Sequence, residues 1–230
     1  MTDVQHAGTI DPIWEEHYAS GHTQSYPWDN VVSFLFRYAP KDRPRSEVRI
    51  VELGFGTGSN LWFAAREGFS VAGIDGSPSA VDAARRRLDV DGLHGDLRLG
   101  LFPEVPFEDG SADLVIDRAA ITCVGKGVAT ATVRAVNRIL RPGGFFLLNV
   151  YSSEHASAAA GRRDDEGLVH DIEAGTIRGF GSICFYDEPL LREVLGDGWT
   201  VRQWSHVVEN DNARPDGCHA EWRVVIEKLA

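Results

Sequence analysis

Seven consecutive residues, Glu52-Leu53-Gly54-Phe55-Gly56-Thr57-Gly58, and one acidic side chain, Asp75, have the types and spacing to hold a nucleoside. Glycines let the chain turn sharply and let a ligand approach the main chain closely. Asp75 lies 17 residues beyond Gly58, where a carboxylate can accept hydrogen bonds from both hydroxyls of a ribose. A glycine-rich turn alone says little, because dinucleotide enzymes carry G-x-G-x-x-G at the same point. Here the glycines fall at 54, 56 and 58, and Ser59 stands where the third dinucleotide glycine belongs. Turn and carboxylate together read as a nucleoside site, and the spacing argues against a nicotinamide dinucleotide.

Such a turn needs a strand before it and a helix after it. Val48 to Leu53 is short, apolar and β-branched, and reads as a buried first strand; Ser59 to Glu67 has helix-forming composition and ends at Gly68. Alternation of the two element types continues. Strands are expected at 69–75, 96–100, 113–117 and 145–150, with helices from Ser77-Pro78 to about Leu88 and from about Ala129 to Leu140. Residues 152–182, rich in Ser, Ala, Gly and charge, show no period and read as an insertion or a mobile lid. A helix over 187–195 and strands over 200–209 and 220–227 follow. The link between those two strands is too short for a crossover helix, so the last must run antiparallel to its predecessor. The expectation is a three-layer α/β fold with a seven-stranded, mostly parallel sheet and an antiparallel last strand. It forms one domain: a cap segment at 1–47, a core at 48–150, a lid at 151–186 and a closing helix and hairpin at 187–230.

Composition narrows the partners. The 230 residues carry 23 Lys and Arg against 34 Asp and Glu, a formal charge of −11. That balance repels a phosphate backbone, so no nucleic-acid partner is expected; Arg85-Arg86-Arg87 reads as a solvated helix face. No apolar run is long enough to span a bilayer, and the first residues lack the pattern of a secretory signal, so the expectation is a cytoplasmic protein with no membrane partner. Cys123, Cys184 and Cys218 form no C-x-x-C pair and read as reduced packing thiols, with no metal site.

Four blocks now stand in order: Glu-Leu-Gly-Phe-Gly-Thr-Gly at 52–58, Gly73-Ile74-Asp75-Gly76-Ser77, the stretch from Val105 to Val115, and Leu140-Arg141-Pro142-Gly143-Gly144. Together they resemble the class I S-adenosylmethionine-dependent methyltransferases, closely over 48–150 and more loosely after 185. The resemblance implies S-adenosylmethionine as cofactor. It places Gly54, Gly56 and Gly58 along the methionine part and Asp75 on the ribose, with Glu52, Phe55 and Gly76 in the same site. Counting back from Pro106, the family's Gly-Asp pair beside the adenine falls on Gly100-Leu101. Leucine cannot accept the adenine amino hydrogen, so Leu101 and Phe102 would give apolar contact instead. A competing register puts Gly95-Asp96 there at the cost of five extra residues. Asp117 and Arg118 fall where the family lines the methyl-donor region; an ordinary strand-end ion pair is the other reading.

Methyl transfer from a sulfonium is an in-line displacement that needs alignment and, for a protonated acceptor, a base. The loops at the carboxyl end of the sheet would bring His155, His170, Tyr186 and His219 near the methyl. His219 is the leading candidate for a base, with Asp117 and Tyr186 as further catalytic candidates. Arg118, His155, Arg178, Phe180 and His219 are the candidate acceptor contacts, the two arginines pointing to an anionic small molecule. Tyr18 and Trp28 either cover the cofactor or pack the leading helix at 30–38. The expected activity is methylation of O or N on a small metabolite. The alternatives are a macromolecular acceptor, or a cofactor-binding module without catalysis.

Overall fold

Strand β1 (Arg49–Leu53) is buried along almost its whole length, Glu52 included, as befits a central parallel strand. Around it the computed structural model, which describes residues 11–214 and 216–229, places β2 (Ser70–Asp75), β3 (Asp96–Leu99), β4 (Ala112–Arg118), β5 (Leu140–Tyr151) and, near the end of the chain, β9 (Trp199–Asn210) and β10 (Cys218–Lys228). The sheet order is β3-β2-β1-β4-β5-β10-β9. The first five strands are parallel; β10 runs antiparallel to both β5 and β9. The seven-stranded, mostly parallel sheet with an antiparallel close is therefore as expected.

Alternation along the strands feeds two cores. Ile50, Leu114 and Ile116 pack with α2 (Asp29–Tyr38), α3 (Ser59–Arg66) and α4 (Pro78–Val90) on one face. Val51, Leu53, Val115 and Phe146 pack with α5 (Lys126–Ile139) and α6 (Glu188–Leu195) on the other. The sequence also marks where helices begin. Ser77 accepts from the Ala80 N–H ahead of Pro78, and Asp187 accepts from the Leu190 N–H ahead of α6.

Two regions differ from expectation. The cap segment contains a short helix, α1 (Pro12–Ala19), started by Asp11, whose carboxylate accepts from the Ile13 N–H; residues 1–10 of that segment, including the stretch read for a secretory signal, lie outside the described residues. The segment read as an insertion or mobile lid holds a small antiparallel sheet, β6 (Arg162–Arg163), β7 (Leu168–His170) and β8 (Ile183–Cys184), in the order β6-β7-β8. It has its own core of Val169, Ile172, Ile177, Ile183 and Phe185. Strands of two or three residues are too short to display a period, which is why the sequence showed none. Among the described residues no helix is long and apolar enough to cross a membrane.

Candidate cofactor and acceptor site

Strand order reverses between β1 and β4: from β1 the chain moves outward to β2 and β3, then returns to the other side. At this point, beyond the carboxyl ends of the strands, the loops after β1 and β4 border a crevice. In this crevice lies a cavity of about 450 Å³, inside the roughly 300–1,000 Å³ typical of small-molecule sites.

The glycine turn forms its floor. Gly54, Gly56 and Gly58 have φ of +60°, +52° and +75°, a region that side chains with a Cβ rarely adopt. Space is equally restrictive. A Cβ on Gly54 would overlap the Cβ of Ala120 in the loop after β4, and one on Gly56 would meet the Tyr18 hydroxyl at 2.8 Å. Asp75, at the end of β2, secures the turn from beneath: its carboxylate accepts from the Gly56 N–H at 2.7 Å and the Ser77 N–H at 2.9 Å. Burial raises its pKa to about 6 against the pull of those donors. Glu52 accepts from Asn60 Nδ2 at 2.7 Å through one oxygen, while its other oxygen is buried with no partner. Burial pushes this carboxyl up to about 8.

Helix α1 and the small sheet form the cover. Glu15 on α1 accepts from the hydroxyls of Ser77 and Ser79 at the start of α4. Asp11 accepts from the Ser182 N–H ahead of β8 at 3.2 Å. Phe180 stacks on His17 with ring centroids 5.4 Å apart. At the far wall the Arg118 guanidinium lies 4.0 Å over the Trp28 ring and 3.2 Å from Glu221 on β10. The antiparallel course of β10 brings its first half to this end of the sheet, with Glu221 opposite Tyr151.

Most of the cofactor residues read from sequence reach the cavity. Glu52, Gly54, Phe55, Gly56, Asp75 and Gly76 line it from one side. Gly100, Leu101 and Phe102 line it beyond β3, whereas Asp96 sits at the opposite end of that strand, paired with Arg98 and Arg49. The placement favours the Leu101 register. Tyr18, Trp28, Arg118 and Phe180 also face the cavity.

Six expectations need correction. Gly58 does not line the cavity; it caps α3 in the left-handed conformation. Asp117 is wholly buried beneath the wall, where one oxygen accepts from the Ile121 N–H at 2.8 Å and burial lifts its pKa to about 7. It shapes the loop after β4 and touches nothing in the cavity. Tyr186 is wholly buried in the core with α5 and α6 and does not line the cavity. His155 and His219 pair with each other, Nε2 to Nδ1 at 3.3 Å, behind the Tyr151 ring, and it is Tyr151 that lines the cavity. Burial and the neighbouring His219 hold His155 down at about 4. Arg178 is exposed and outside the lining.

Several lining residues had no sequence signal. Asn60, Tyr151 and Ser182 look like ordinary helix and loop residues until the chain folds. His170 is one of the three loop histidines read from the sequence, which did not reveal its partners: Asp164 Oδ2 stands 2.8 Å from Nε2, and Ser182 Oγ 2.8 Å from Nδ1.

The topology places the chain among α/β proteins that take a nucleoside cofactor where strand order reverses. Residues 50–144 match the methyltransferase-domain family. Over 180 residues the chain is 32% identical to a ubiquinone biosynthesis O-methyltransferase of Methylocella silvestris, covering 72% of this chain and 69% of that one. A 100-residue segment is 29% identical to an uncharacterized methyltransferase of Synechocystis, covering 44% of this chain and 45% of that protein's length. A SAM-dependent methyltransferase of Methanosarcina mazei superposes with a TM-score of 0.67 at 19% identity, over 89% of this chain and 99% of that one. This chain belongs to the class I, Rossmann-like S-adenosylmethionine-dependent methyltransferases. S-adenosylmethionine is the cofactor of that family, and the cavity is suited to it. The unpartnered oxygen of Glu52 and the carboxylates of Asp75 and Asp11 line this cavity, over a floor that only glycine can form.

Proposed function

We propose that this chain moves the methyl group of S-adenosylmethionine to a hydroxyl or amino group of a small, anionic acceptor. The donor supplies an electrophilic methyl on a good leaving group. What the protein adds is position: the glycine turn and Asp75 fix the nucleoside side, Leu101 and Phe102 offer apolar contact to the base, and the acceptor enters beside Arg118.

One observation carries the reading of the acceptor. Arg118 is the only Lys or Arg among the described residues lining the cavity, and its side chain is 9% exposed. Its partner Glu221 also holds Arg223 Nε at 2.5 Å and lies 3.5 Å from His219 Nε2. Burial opposes ionisation of Glu221, yet His219, Arg118 and Arg223 together keep its pKa at about 2. Two guanidiniums share one carboxylate, which leaves a net positive wall for a carboxylate or phosphate on the acceptor. The three cysteines are free thiols, which suits a cytoplasmic enzyme. We read the chain as one domain whose cap and small sheet supply the acceptor side.

The test is a labelled-methyl transfer screen in which each anionic acceptor is paired with its neutral ester or amide. Arg118→Met should raise KM for the anionic member by roughly 10–150-fold, the equivalent of about 1.5–3 kcal/mol for hydrogen bonds to a charged group, and leave the neutral member unchanged. Equal effects on both members would remove the anion from the reading.

A further inference from the structure

We infer that Ser182, His170 and Asp164 form a proton relay that deprotonates a hydroxyl acceptor during methyl transfer. The inference rests on the function proposed above and names the group that takes the acceptor's proton.

Geometry singles out this trio. The small sheet pairs Leu168 with Cys184 and Val169 with Ile183, and one further step in that register sets His170 opposite Ser182. Both line the cavity. Asp164 is held by two donors: the Leu168 N–H at 2.9 Å on one oxygen and His170 Nε2 at 2.8 Å on the other. A carboxylate so placed accepts from Nε2–H and leaves the lone pair on Nδ1, which accepts from the Ser182 hydroxyl at 2.8 Å. The Ser182 main chain is itself anchored to α1 through Asp11. Strand β8 packs on the short helical turn Ile121–Cys123, which follows the loop that faces the glycine turn. Ser182 Oγ therefore stands on the acceptor side of the cavity with a lone pair to spare.

The other cavity groups are poorly suited to the task. Burial pushes the Tyr18 hydroxyl far up and the Cys123 thiol to about 12, so both keep their protons. Glu52 and Asp75 are engaged on the nucleoside side. His22 lines the cavity but packs at a tilt against Tyr18 and edge-on to Phe180, with no carboxylate bonded to it among the described residues.

The balance is simple. The acceptor O–H bond breaks and its proton goes to Ser182 Oγ, as the serine proton moves to Nδ1 of His170. The oxygen electron pair forms the new O–C bond, the pair of the broken C–S bond stays on sulfur, and the positive charge ends on the imidazole beside Asp164. His170 then releases the proton to solvent when product leaves.

Turnover is measured with hydroxybenzoate and with a nitro-substituted hydroxybenzoate whose phenol is already ionised at the assay pH. His170→Gln should lower kcat for the first by about 10²–10⁴-fold, the usual contribution of a general base, with donor KM unchanged. The deficit should shrink for the second. Ser182→Ala should lower kcat in the same pattern, and Asp164→Asn, at the positioning residue, should follow it. Calorimetry with S-adenosylhomocysteine checks that the variants keep their fold and donor site. Independently of activity, nitrogen NMR of histidine-labelled protein at mildly alkaline pH should show His170 with its proton on Nε2, and Asp164→Asn should weaken that preference. Unchanged kcat in His170→Gln, an equal deficit for both phenols, or a proton on Nδ1 would overturn the relay alone. A wild-type protein that binds the donor yet methylates neither phenol nor any other small acceptor would overturn the methyl-transfer reading, and the relay with it.

Discussion

Replacing Gly54 with alanine probes the contact that holds the two walls of the crevice together. The backbone there has φ of +60°, which costs a residue with a Cβ roughly 1–2 kcal/mol. The added methyl would also overlap Ala120 Cβ, with Ala120 Cα a further 3.6 Å neighbour. Overpacking of this kind costs about 1–3 kcal/mol. Alanine narrows the unfolded ensemble and returns about 0.4–1 kcal/mol, so the net loss should be about 1–4.5 kcal/mol. Urea denaturation read by linear extrapolation measures it; in a chain of this size each kcal/mol also moves Tm by about 2–4 °C. The decisive comparison adds Ala120→Gly, which removes the overlapping methyl. Stability of the double variant should recover by about the overpacking part, leaving the cost of the dihedral. A coupling energy within about 0.5 kcal/mol of zero, the range for independent sites, would show that the turns after β1 and β4 do not meet as described.

Asp75→Ala should weaken S-adenosylmethionine binding by about 1.5–3 kcal/mol in calorimetry, and an unchanged affinity would remove the ribose contact. Glu52 has a folded pKa raised by burial from 4.5 to about 8, so the folded chain binds this proton more tightly than the unfolded chain. Its contribution to stability is therefore complete below about 4.5 and lost as pH rises through about 8. Thermal scans of Glu52→Gln should show a flatter pH dependence over that window; an identical slope in both proteins would contradict the burial. Glu221→Gln should raise KM for anionic acceptors, because Arg118 loses the ion pair that holds it against Trp28, while donor affinity stays unchanged.

The glycine-turn side of the cavity was legible because its geometry is local. A turn that excludes side chains must be spelled in glycine, a strand-end carboxylate follows at fixed spacing, and serine or aspartate before proline marks the start of a helix. The opposite side was less so. Asp117 and Arg118 are adjacent, yet alternation along β4 sends one into the loop's own hydrogen bonds and the other into the cavity. His219 and Tyr151 sit on neighbouring strands at the same end of the sheet, and only packing decides that the tyrosine lies in front. Asp164, His170 and Ser182 converge through strands of two or three residues, below the length at which hydrophobic alternation carries a signal.

The reversed direction of β10 has a consequence for how the enzyme changes over time. The glycine turn and Asp75 come from one short stretch of chain, from Glu52 to Gly76, whereas Arg118 is held by a side chain more than a hundred positions downstream. On the proposed reading, in which the acceptor enters beside Arg118, substitutions in the hairpin retune which molecule receives the methyl without disturbing the source of that methyl. One scaffold can in this way diversify its products while its fuel stays fixed.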